Sequence, residues 1–293
     1  MEDYKTKLAQ AYQALDDLDK EVLPNRLEQA RLALQKGTTR DAEALFRKVL
    51  SGGKEIAAEA TYQLGQLAEV RIDYRSAYQY YKQAAELQPD NPLYLSAAGN
   101  IDHAVGRYSE AEPLLQRALA VREKTLGPEH PDVATSLNNL AALYYAQDKY
   151  AQAEPLFQRA ITIDEKTQGP EHPDATTSLD NLALLYYAQG QYAQAEPLFQ
   201  RALAIDEKTL GPERPGVATD LNNLAVLYTT QGQYTQAEPL HRRALAIVEK
   251  TLGPEHPDVA TSLENYAVLL RKLDRTAEAE TMEARAKVIR ATH

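Results

Sequence analysis

A histidine and an aspartate that flank a single proline are the residues in this sequence with the clearest capacity for chemistry. The tripeptide His-Pro-Asp begins at His130, His172 and His256, and residues 214–216 read Arg-Pro-Gly where a further copy would fall. A histidine so close to a carboxylate could be half of a metal site or an acid/base pair. Whether these residues do chemistry or only turn the chain depends on the elements around them.

The tripeptides recur because the chain consists of internal repeats. Residues 130–171 and 172–213 differ at nine of their 42 positions, residues 214–255 form a third copy, and a truncated fourth begins at His256. The second half of the same repeat also stands upstream, over residues 108–129. A fixed period of this length is typical of repeat architectures, in which each unit packs on its neighbours.

Each repeat is predicted to form two helices. Ala, Leu, Gln, Glu and Lys, which favour helices, are abundant in the chain. Apolar residues recur at helical spacing in both halves of the repeat. They include Leu137, Leu140, Ala141 and Tyr144 in the first half, and Ala153, Leu156, Phe157 and Ala160 in the second. Because the short segment AQDKY or AQGQY separates the halves, the repeat is predicted to be a helical hairpin.

With these features the sequence resembles the tetratricopeptide repeat (TPR) family. Residues 58–91 fit a 34-residue form of its pattern through Leu64-Gly65, Ala77, Tyr81, Ala84 and Pro89. The later repeats keep alanine at the small position, as Ala141, Ala183, Ala225 and Ala267. Their 42-residue length and the segments LNNLA, YAQAEPLFQRAL and GPEHPD are similar to the kinesin-light-chain subtype. The resemblance implies an all-α fold, a right-handed TPR superhelix (α-solenoid) of about seven helical hairpins.

The repeats account for nearly the whole chain. The TPR solenoid is predicted over residues 23–293, with repeats near 23–57, 58–91, 92–133, 134–175, 176–217, 218–259 and 260–293. Residues 1–22 have apolar residues at helical spacing and are predicted to form an N-terminal capping helix. A coiled coil over residues 1–22 stays open as the alternative, although three heptads at most are marginal for one.

Charge and composition disfavour several classes of function. The chain carries a net charge of −10 and contains no cysteine. The acidity disfavours binding to nucleic acid and to anionic membrane surfaces. Disulfides, thiolate catalysis and zinc–cysteine sites are excluded. No apolar run approaches the length of a membrane span and no apolar signal segment opens the sequence, so a soluble, cytoplasmic protein is expected.

The His-Pro-Asp tripeptides are interpreted as connections between hairpins. J-domain co-chaperones carry this tripeptide in one loop of a small bundle, not between neighbouring repeats. Zinc ligands lie about 2 Å from the metal, whereas equivalent residues of stacked helices lie about 8–10 Å apart. We expect a glycine and a proline to end one helix and the aspartate to cap the next. The capping residues would be Asp132, Asp174 and Asp258, and the Gly216 copy would be the weakest cap.

Two further histidines could contact a ligand. His241 replaces Phe157 and Phe199 of the preceding repeats, which favours a partly buried histidine with a local partner; a pH sensor or a ligand contact is the alternative. His103 falls on the inner face of its repeat and is interpreted as a binding contact. The sequence shows no nucleophile elbow and no phosphate-binding loop. We therefore expect no enzyme activity, no catalytic or metal-binding residues and no cofactor.

The TPR resemblance places candidate binding residues on the first helix of each repeat, because in that family the first helices line a concave groove that binds peptides. The matching positions carry an asparagine ladder, Asn139, Asn181, Asn223 and Asn265. Neighbouring groove positions with candidate peptide contacts are Asn138, Tyr145, Tyr187, Asn222 and Arg271. An asparagine amide both donates and accepts, which suits the backbone of an extended peptide. The alternative is that the ladder stabilises packing between repeats.

The charge of the groove indicates the class of partner. Its middle repeats offer almost no positive charge: Arg271 and Lys272 come in the last repeat, and Arg107 lies in a turn. A clamp for a C-terminal carboxylate, as in chaperone-binding TPR proteins, is not expected, and a neutral or basic segment is the better match.

The function predicted from the sequence is a non-enzymatic protein–protein interaction scaffold that binds an extended peptide or protein segment in the concave TPR groove. A monomer is favoured. Two alternatives stay open: a regulatory or sensor module of a larger signalling protein, and a self-assembling structural solenoid.

Overall fold

The computed structural model of the chain describes residues 33, 54–71 and 73–292. All regular elements of the described part from residue 54 onward are α-helices, twelve in number. Their bounds are α1 Lys54–Val70, α2 Tyr74–Leu87, α3 Pro92–Ala104, α4 Tyr108–Leu126, α5 Pro131–Ala146, α6 Tyr150–Gln168, α7 Asp174–Ala188, α8 Tyr192–Thr209, α9 Pro215–Thr230, α10 Tyr234–Leu252, α11 Pro257–Lys272 and α12 Thr276–Thr292.

Consecutive helices pack in pairs, which gives six helical hairpins within residues 54–292 and confirms the all-α repeat fold. The predicted capping helix, residues 1–22, lies outside the described residues. So does most of the first predicted repeat, residues 23–57, of which only residues 33 and 54–57 are described.

The chain divides into two compact units, residues 1–128 and residues 129–293. In the described part of the N-terminal unit, α1 to α4 form two hairpins, and α2 of the first packs on α3 of the second. Glycine holds the small position of the repeat here: a Cβ on Gly65 would lie 2.5 Å from the Tyr81 ring, and one on Gly99 would lie 2.7 Å from Leu115 Cγ. Gly65 and Gly99 are therefore required by the close approach of the two helices of each hairpin.

The C-terminal unit contains four hairpins, α5–α6, α7–α8, α9–α10 and α11–α12, and the second helix of each packs on the first helix of the next. Its predicted small positions are buried: Ala141, Ala183, Ala225 and Ala267 are at most 1% exposed. Phe157 and Phe199 fill the space inside their hairpins. Burial of such a side chain stabilises the fold by about 1.5–3 kcal/mol.

The turn inside each of these hairpins requires one residue with positive φ. Gly190 and Gly232 hold this position with φ of 73° and 75°, and the equivalent residues Asp148 and Asp274 adopt φ of 57° and 59°. Aspartate tolerates this left-handed conformation better than most residues with a side chain. The turn geometry is therefore the same whether the sequence reads AQGQ or AQDK.

The connection between hairpins corrects one prediction from the sequence. His130 and His256 are the N-cap residues of α5 and α11, and the Nδ1 atom of each accepts a hydrogen bond from the backbone N–H two residues later, at 3.1 and 3.2 Å. The aspartates lie inside the first turn, where a negative charge is favourable. The prediction that Asp132, Asp174 and Asp258 supply the caps was therefore wrong.

The copy without His and Asp was predicted to be the weakest cap, but the N-cap residue of α7, Pro173, also makes no side-chain capping hydrogen bond, so this ranking stays a prediction. Arg214 is the N-cap of α9 and makes no side-chain capping hydrogen bond. In the hairpin before it, His172 Nδ1 still accepts from the Asp174 N–H at 3.3 Å.

Candidate functional site

The candidate site lies along the first helices of the C-terminal unit. Helices α5, α7, α9 and α11 follow one another side by side, since each contacts the next. The asparagine ladder contributes one half-buried side chain to each of these helices, at Asn139, Asn181, Asn223 and Asn265. The ladder residues therefore recur along one row of neighbouring helices.

Two recesses open between these helices. The first, of about 320 Å³, is lined by Asn138 and Asn139 of α5 together with three aspartates, Asp132, Asp164 and Asp174. The second, of about 330 Å³, brings together Asn222 and Asn223 of α9 with Asn265 of α11. Five of the six candidate asparagines thus line a recess, and Asn181 lines neither of these two.

Two of the candidate amides also join neighbouring hairpins. The Asn138 side-chain amide donates a hydrogen bond to Ser178 Oγ, and that of Asn222 donates to Ser262 Oγ at 2.8 Å. Among the described residues, the side-chain oxygen Oδ1 of each of these asparagines is buried without a hydrogen-bond partner. These contacts support a packing role for Asn138 and Asn222, in line with the alternative drawn from the sequence.

The ladder amides differ in the protein groups that surround them. In the described part of the chain, the side-chain amides of Asn139, Asn181 and Asn265 make no hydrogen bond with the protein. Asn223 instead faces the carboxyl group of Asp180, where it opposes the rise in the pKa of Asp180 that burial causes. Asn139, Asn181 and Asn265 can therefore bind a ligand without first breaking a hydrogen bond.

The tyrosine candidates are partly engaged within the protein. The Tyr187 hydroxyl lies 2.9 Å from Thr230 Oγ1 of the next hairpin, and its ring lies 5.6 Å from that of Tyr192. Tyr145 stacks at a tilt on Tyr150, with ring centroids 5.8 Å apart, and burial raises its pKa. Both tyrosines keep part of their surface open to solvent.

Arg271 is neutralised by its own hairpin. Its Nε and Nη2 atoms donate to the two carboxylate oxygens of Glu283 at 2.7 and 2.6 Å. This bidentate pair occupies the face of the guanidinium that a carboxylate ligand would need. A carboxylate ligand would have to compete with Glu283 for this guanidinium.

The first recess is acidic, and its buried carboxylate is unusual. Asp164 is only 3% exposed, and its Oδ2 accepts a hydrogen bond of 3.4 Å from Ser178 Oγ. Burial, together with the nearby Asp174 carboxylate, raises the pKa of Asp164 to about 6. The recess is therefore suited to a group that brings positive charge.

The two histidines singled out in the sequence are packed against aromatic rings. His241 is fully buried between α9 and α11, with Nε2 3.4 Å from Thr229 Oγ1 and its ring stacked on Tyr266; burial lowers its pKa to about 4. The local partner was predicted, but the burial is deeper than expected. His103 is half-buried beside Tyr108, and burial lowers its pKa.

A second set of contacts between hairpins was missed by sequence reasoning. The hydroxyl of one tyrosine on each of α7, α9 and α11 donates to a glutamate on the preceding second helix: Tyr186 to Glu154 at 2.8 Å, Tyr228 to Glu196 at 3.0 Å and Tyr266 to Glu238 at 3.1 Å. The signal was the recurring Glu-Pro pair of the second helix. These bonds orient the row of first helices that carries the asparagine ladder.

The connection GPE is held by an arginine of the following hairpin. Arg201, Arg243 and Arg285 donate to the carbonyl oxygens of Pro170, Pro212 and Pro254 at 2.7, 3.0 and 3.2 Å. Within the described residues, no group of three His, Cys, Asp or Glu side chains could hold a metal ion. The arginine–carbonyl bonds join the GPE part of the GPEHPD segment to the second helix of the following hairpin.

The helices of the described part were also compared with what a bilayer requires. None of them combines the length and the apolar character needed to cross a membrane.

Comparison of the sequence with protein families finds the same repeat in both units. A tetratricopeptide repeat family matches over residues 92–166, 138–208, 174–249 and 217–287, and a second one matches over residues 27–92. The first family alone spans residues 92–287, more than half of the chain. No curated protein matches the chain.

Solved structures share the fold. A putative kinesin light chain with nearly identical TPR-like repeats from Podosopora anserina is 31% identical, with a TM-score of 0.57, over 68% of this chain and 93% of its own. BtubC (BKLC) from P. vanneervenii is 24% identical, with a TM-score of 0.60, over 83% and 92%. PilW, a type IV pilus biogenesis factor, is 17% identical, with a TM-score of 0.63, over 84% and 100%. The last two show likeness of fold alone.

Proposed function

The chain belongs to the tetratricopeptide repeat family, and on that premise we propose that it is a non-enzymatic scaffold that captures an extended protein segment along α5, α7, α9 and α11. Repeats of this family generally serve as protein–protein interaction scaffolds. The segment would lie across the row of first helices, and the asparagine ladder would bind its backbone.

The observation that carries this proposal is the set of unoccupied ladder amides. Asn139, Asn181 and Asn265 stand half-buried on α5, α7 and α11, and no protein group in the described residues bonds their amides. An amide can donate to a backbone carbonyl and accept from a backbone N–H at once. Each such bond contributes about 0.5–1.5 kcal/mol net, so three together give a useful affinity without reading the side chains of the segment.

The charge of the row supports a neutral or basic segment. The first recess contains Asp132, Asp164 and Asp174, and the cation of Arg271 is already paired with Glu283. A lysine or arginine of the segment would find carboxylates at the first recess. An acidic segment would meet like charge there and no free arginine at α11.

The proposal is tested with fluorescent peptides of equal length that are basic, neutral or acidic and otherwise matched in composition. We expect the basic and neutral peptides to bind more tightly than the acidic one in a fluorescence anisotropy titration. The triple variant Asn139→Ala, Asn181→Ala, Asn265→Ala should lose at least about tenfold in affinity, because three backbone hydrogen bonds are removed.

A matched control removes three amides that the proposal does not use. Gln152, Gln194 and Gln236 are exposed at equivalent positions of α6, α8 and α10, and their replacement by alanine should leave the affinity unchanged. Circular dichroism confirms that both triple variants stay helical. A ladder variant that is folded and binds every peptide as tightly as the unaltered chain would overturn the proposal.

A further inference from the structure

The three junctions between first helices in the C-terminal unit are built from equivalent positions with different chemistry. At the junctions α5–α7 and α9–α11, an asparagine amide donates to a serine hydroxyl, in the pairs Asn138–Ser178 and Asn222–Ser262. Both pairs are neutral, and in both the serine is at most 2% exposed. They show which side chains this junction accommodates when it is uncharged.

At the middle junction, α7–α9, both partners are acids. Asp180 stands at the asparagine position and Asp220 at the serine position. Asp220 is 2% exposed, and its carboxyl group faces that of Asp180, because the counterparts of these two residues are hydrogen-bonded to each other at both flanking junctions. Two ionised carboxylates can only accept, so a hydrogen bond between these groups requires a proton on one of them.

The surroundings of the pair do not supply compensating positive charge. Helix α8 contributes the carboxylates of Asp206 and Glu207, and α9 contributes the neutral Asn223 amide, which faces Asp180. The nearest cation that these contacts identify is Arg243 of α10, and it is paired with Glu207 at 2.5 Å. In the part of the chain that the structure describes, the oxygens Asp180 Oδ1, Asp206 Oδ1 and Asp220 Oδ2 are buried without a hydrogen-bond partner. Full ionisation of the pair would therefore leave two like charges at this buried junction.

The sequence of the third repeat contains a matching exchange. The repeat that has aspartate instead of serine at 220 has glycine instead of aspartate at 216. A Cβ on Gly216 would lie 3.0 Å from Asp206 Oδ2, so an aspartate at 216 would begin beside another carboxylate. Compared with its neighbours, the third repeat therefore has one carboxylate fewer at the exposed start of its first helix and one more at the buried junction. These two exchanges together leave the formal charge unchanged.

We propose that Asp180 and Asp220 share one proton at neutral pH, and that loss of this proton weakens the packing of α7 against α9. The middle junction is then a pH-dependent contact in the row of first helices. This pH-dependent contact follows from the carboxyl pair alone and does not depend on any ligand of the ladder. It lies between the hairpin α7–α8 and the hairpin α9–α10.

The direction of the pH effect follows from the two carboxyl groups. Burial, and for Asp220 also the charge of Asp180, raises the pKa of both groups above the ordinary range of aspartate. The folded chain then holds more protons at this pair than the unfolded chain at neutral pH, so the stability of the junction falls as pH rises. A junction of the Asn–Ser type has no such dependence.

The experiment uses the full chain labelled with carbon-13 in the aspartate carboxyl groups. We expect one carboxyl resonance to report a bound proton at neutral pH, and this resonance to disappear in Asp220→Ser. The urea midpoint of unfolding should fall between about pH 5 and pH 9, and in Asp180→Asn/Asp220→Ser, which copies the flanking junctions, more than half of that fall should be lost.

Transplantation of the pair provides the matched test. Asn138→Asp/Ser178→Asp builds the same pair at the junction α5–α7 and should add a second resonance that keeps its proton at neutral pH. The proposal is overturned if all aspartates of the unaltered chain are ionised at neutral pH. It is also overturned if the urea midpoints of the unaltered chain and of Asp180→Asn/Asp220→Ser change with pH in parallel. The first measurement needs no variant, so it decides the question even if a variant fails to fold.

Discussion

His241 lies parallel to the ring of Tyr266, with the two centroids 5.7 Å apart and 12° between the planes. His241 occupies the position that Phe157 and Phe199 hold in the preceding hairpins, and like them it is excluded from solvent. An imidazole therefore stands where the repeat otherwise places a hydrocarbon ring. Only its Nε2 has a partner, Thr229 at 3.4 Å, while Nδ1 is buried with no hydrogen bond in the described residues.

We expect His241→Phe to stabilise the chain, most of all in acid. The folded-state pKa of His241 is about 4 against 6.5 for a free histidine, so the unfolded chain binds the proton more readily. Stability is then lost as pH falls below 6.5 toward 4, by up to about 3 kcal/mol. Urea unfolding of both chains across this range gives the measurement, with His103→Phe as the control on a half-buried histidine. A constant difference between His241→Phe and the unaltered chain at every pH would contradict the expectation.

The hairpin turn gives a prediction about backbone conformation alone. Gly232 has φ of 75°, and no atom lies within 4 Å of where a Cβ would be. Gly232→Ala should therefore destabilise the chain by about 1 kcal/mol through the left-handed conformation and not through a clash. Gly232→Asp should cost less, because Asp148 and Asp274 already adopt this φ in the equivalent turns. Urea midpoints in the reverse order would contradict this explanation.

The repeat pattern predicts the hairpins and their small positions well, because every copy places the same residue types at the same distance. Ala141 and its three equivalents are buried as predicted, and the turns fall where AQGQ and AQDK stand. A period in the sequence fixes which residues face the neighbouring hairpin. Near-identical copies make that inference stronger than a single amphipathic helix would.

The same pattern could not assign partners across the junctions. That Asn138 bonds Ser178, or that Arg271 pairs with Glu283, depends on side chains 40 and 12 residues away. The capping role of His130 depends on its side-chain conformation, in which Nδ1 accepts the N–H of Asp132. Aspartate is the commoner cap, so the sequence alone favoured the wrong residue.

The two side chains that link a GPE connection to the second helix of the following hairpin should differ strongly in how much they stabilise the chain. Arg201 is 35% exposed, donates to the Pro170 carbonyl at 2.7 Å and pairs with Glu165 at 2.5 Å, whereas Lys208 and Glu171 are both more than 60% exposed. Arg201→Ala should cost about 1–2 kcal/mol in the free energy of unfolding, and Lys208→Ala less than about 0.5 kcal/mol.

Arg201→Lys separates charge from geometry in the same urea experiment. Lysine keeps the charge but cannot reach carbonyl and carboxylate with one planar group, so most of the loss seen for alanine should persist. Equal effects of Arg201→Ala and Lys208→Ala would show that the carbonyl contact contributes nothing.

The acidic recess predicts how capture of a basic segment should change with pH, if the proposed function holds. The pKa of Asp164 is about 6, so this carboxylate is ionised at neutral pH and becomes protonated as the pH falls through 6. Affinity for a basic peptide should decrease by up to about fivefold over that change, because the loss of one ion pair between the segment and this recess costs up to about 1 kcal/mol. A neutral peptide of the same length should show no such decrease.

In Asp164→Asn the basic peptide should bind at neutral pH as weakly as it binds the unaltered chain in acid, and its affinity should no longer depend on pH in this range. If anisotropy titrations instead show the same pH dependence in Asp164→Asn, the positive charge of the segment is bound elsewhere on the row of first helices.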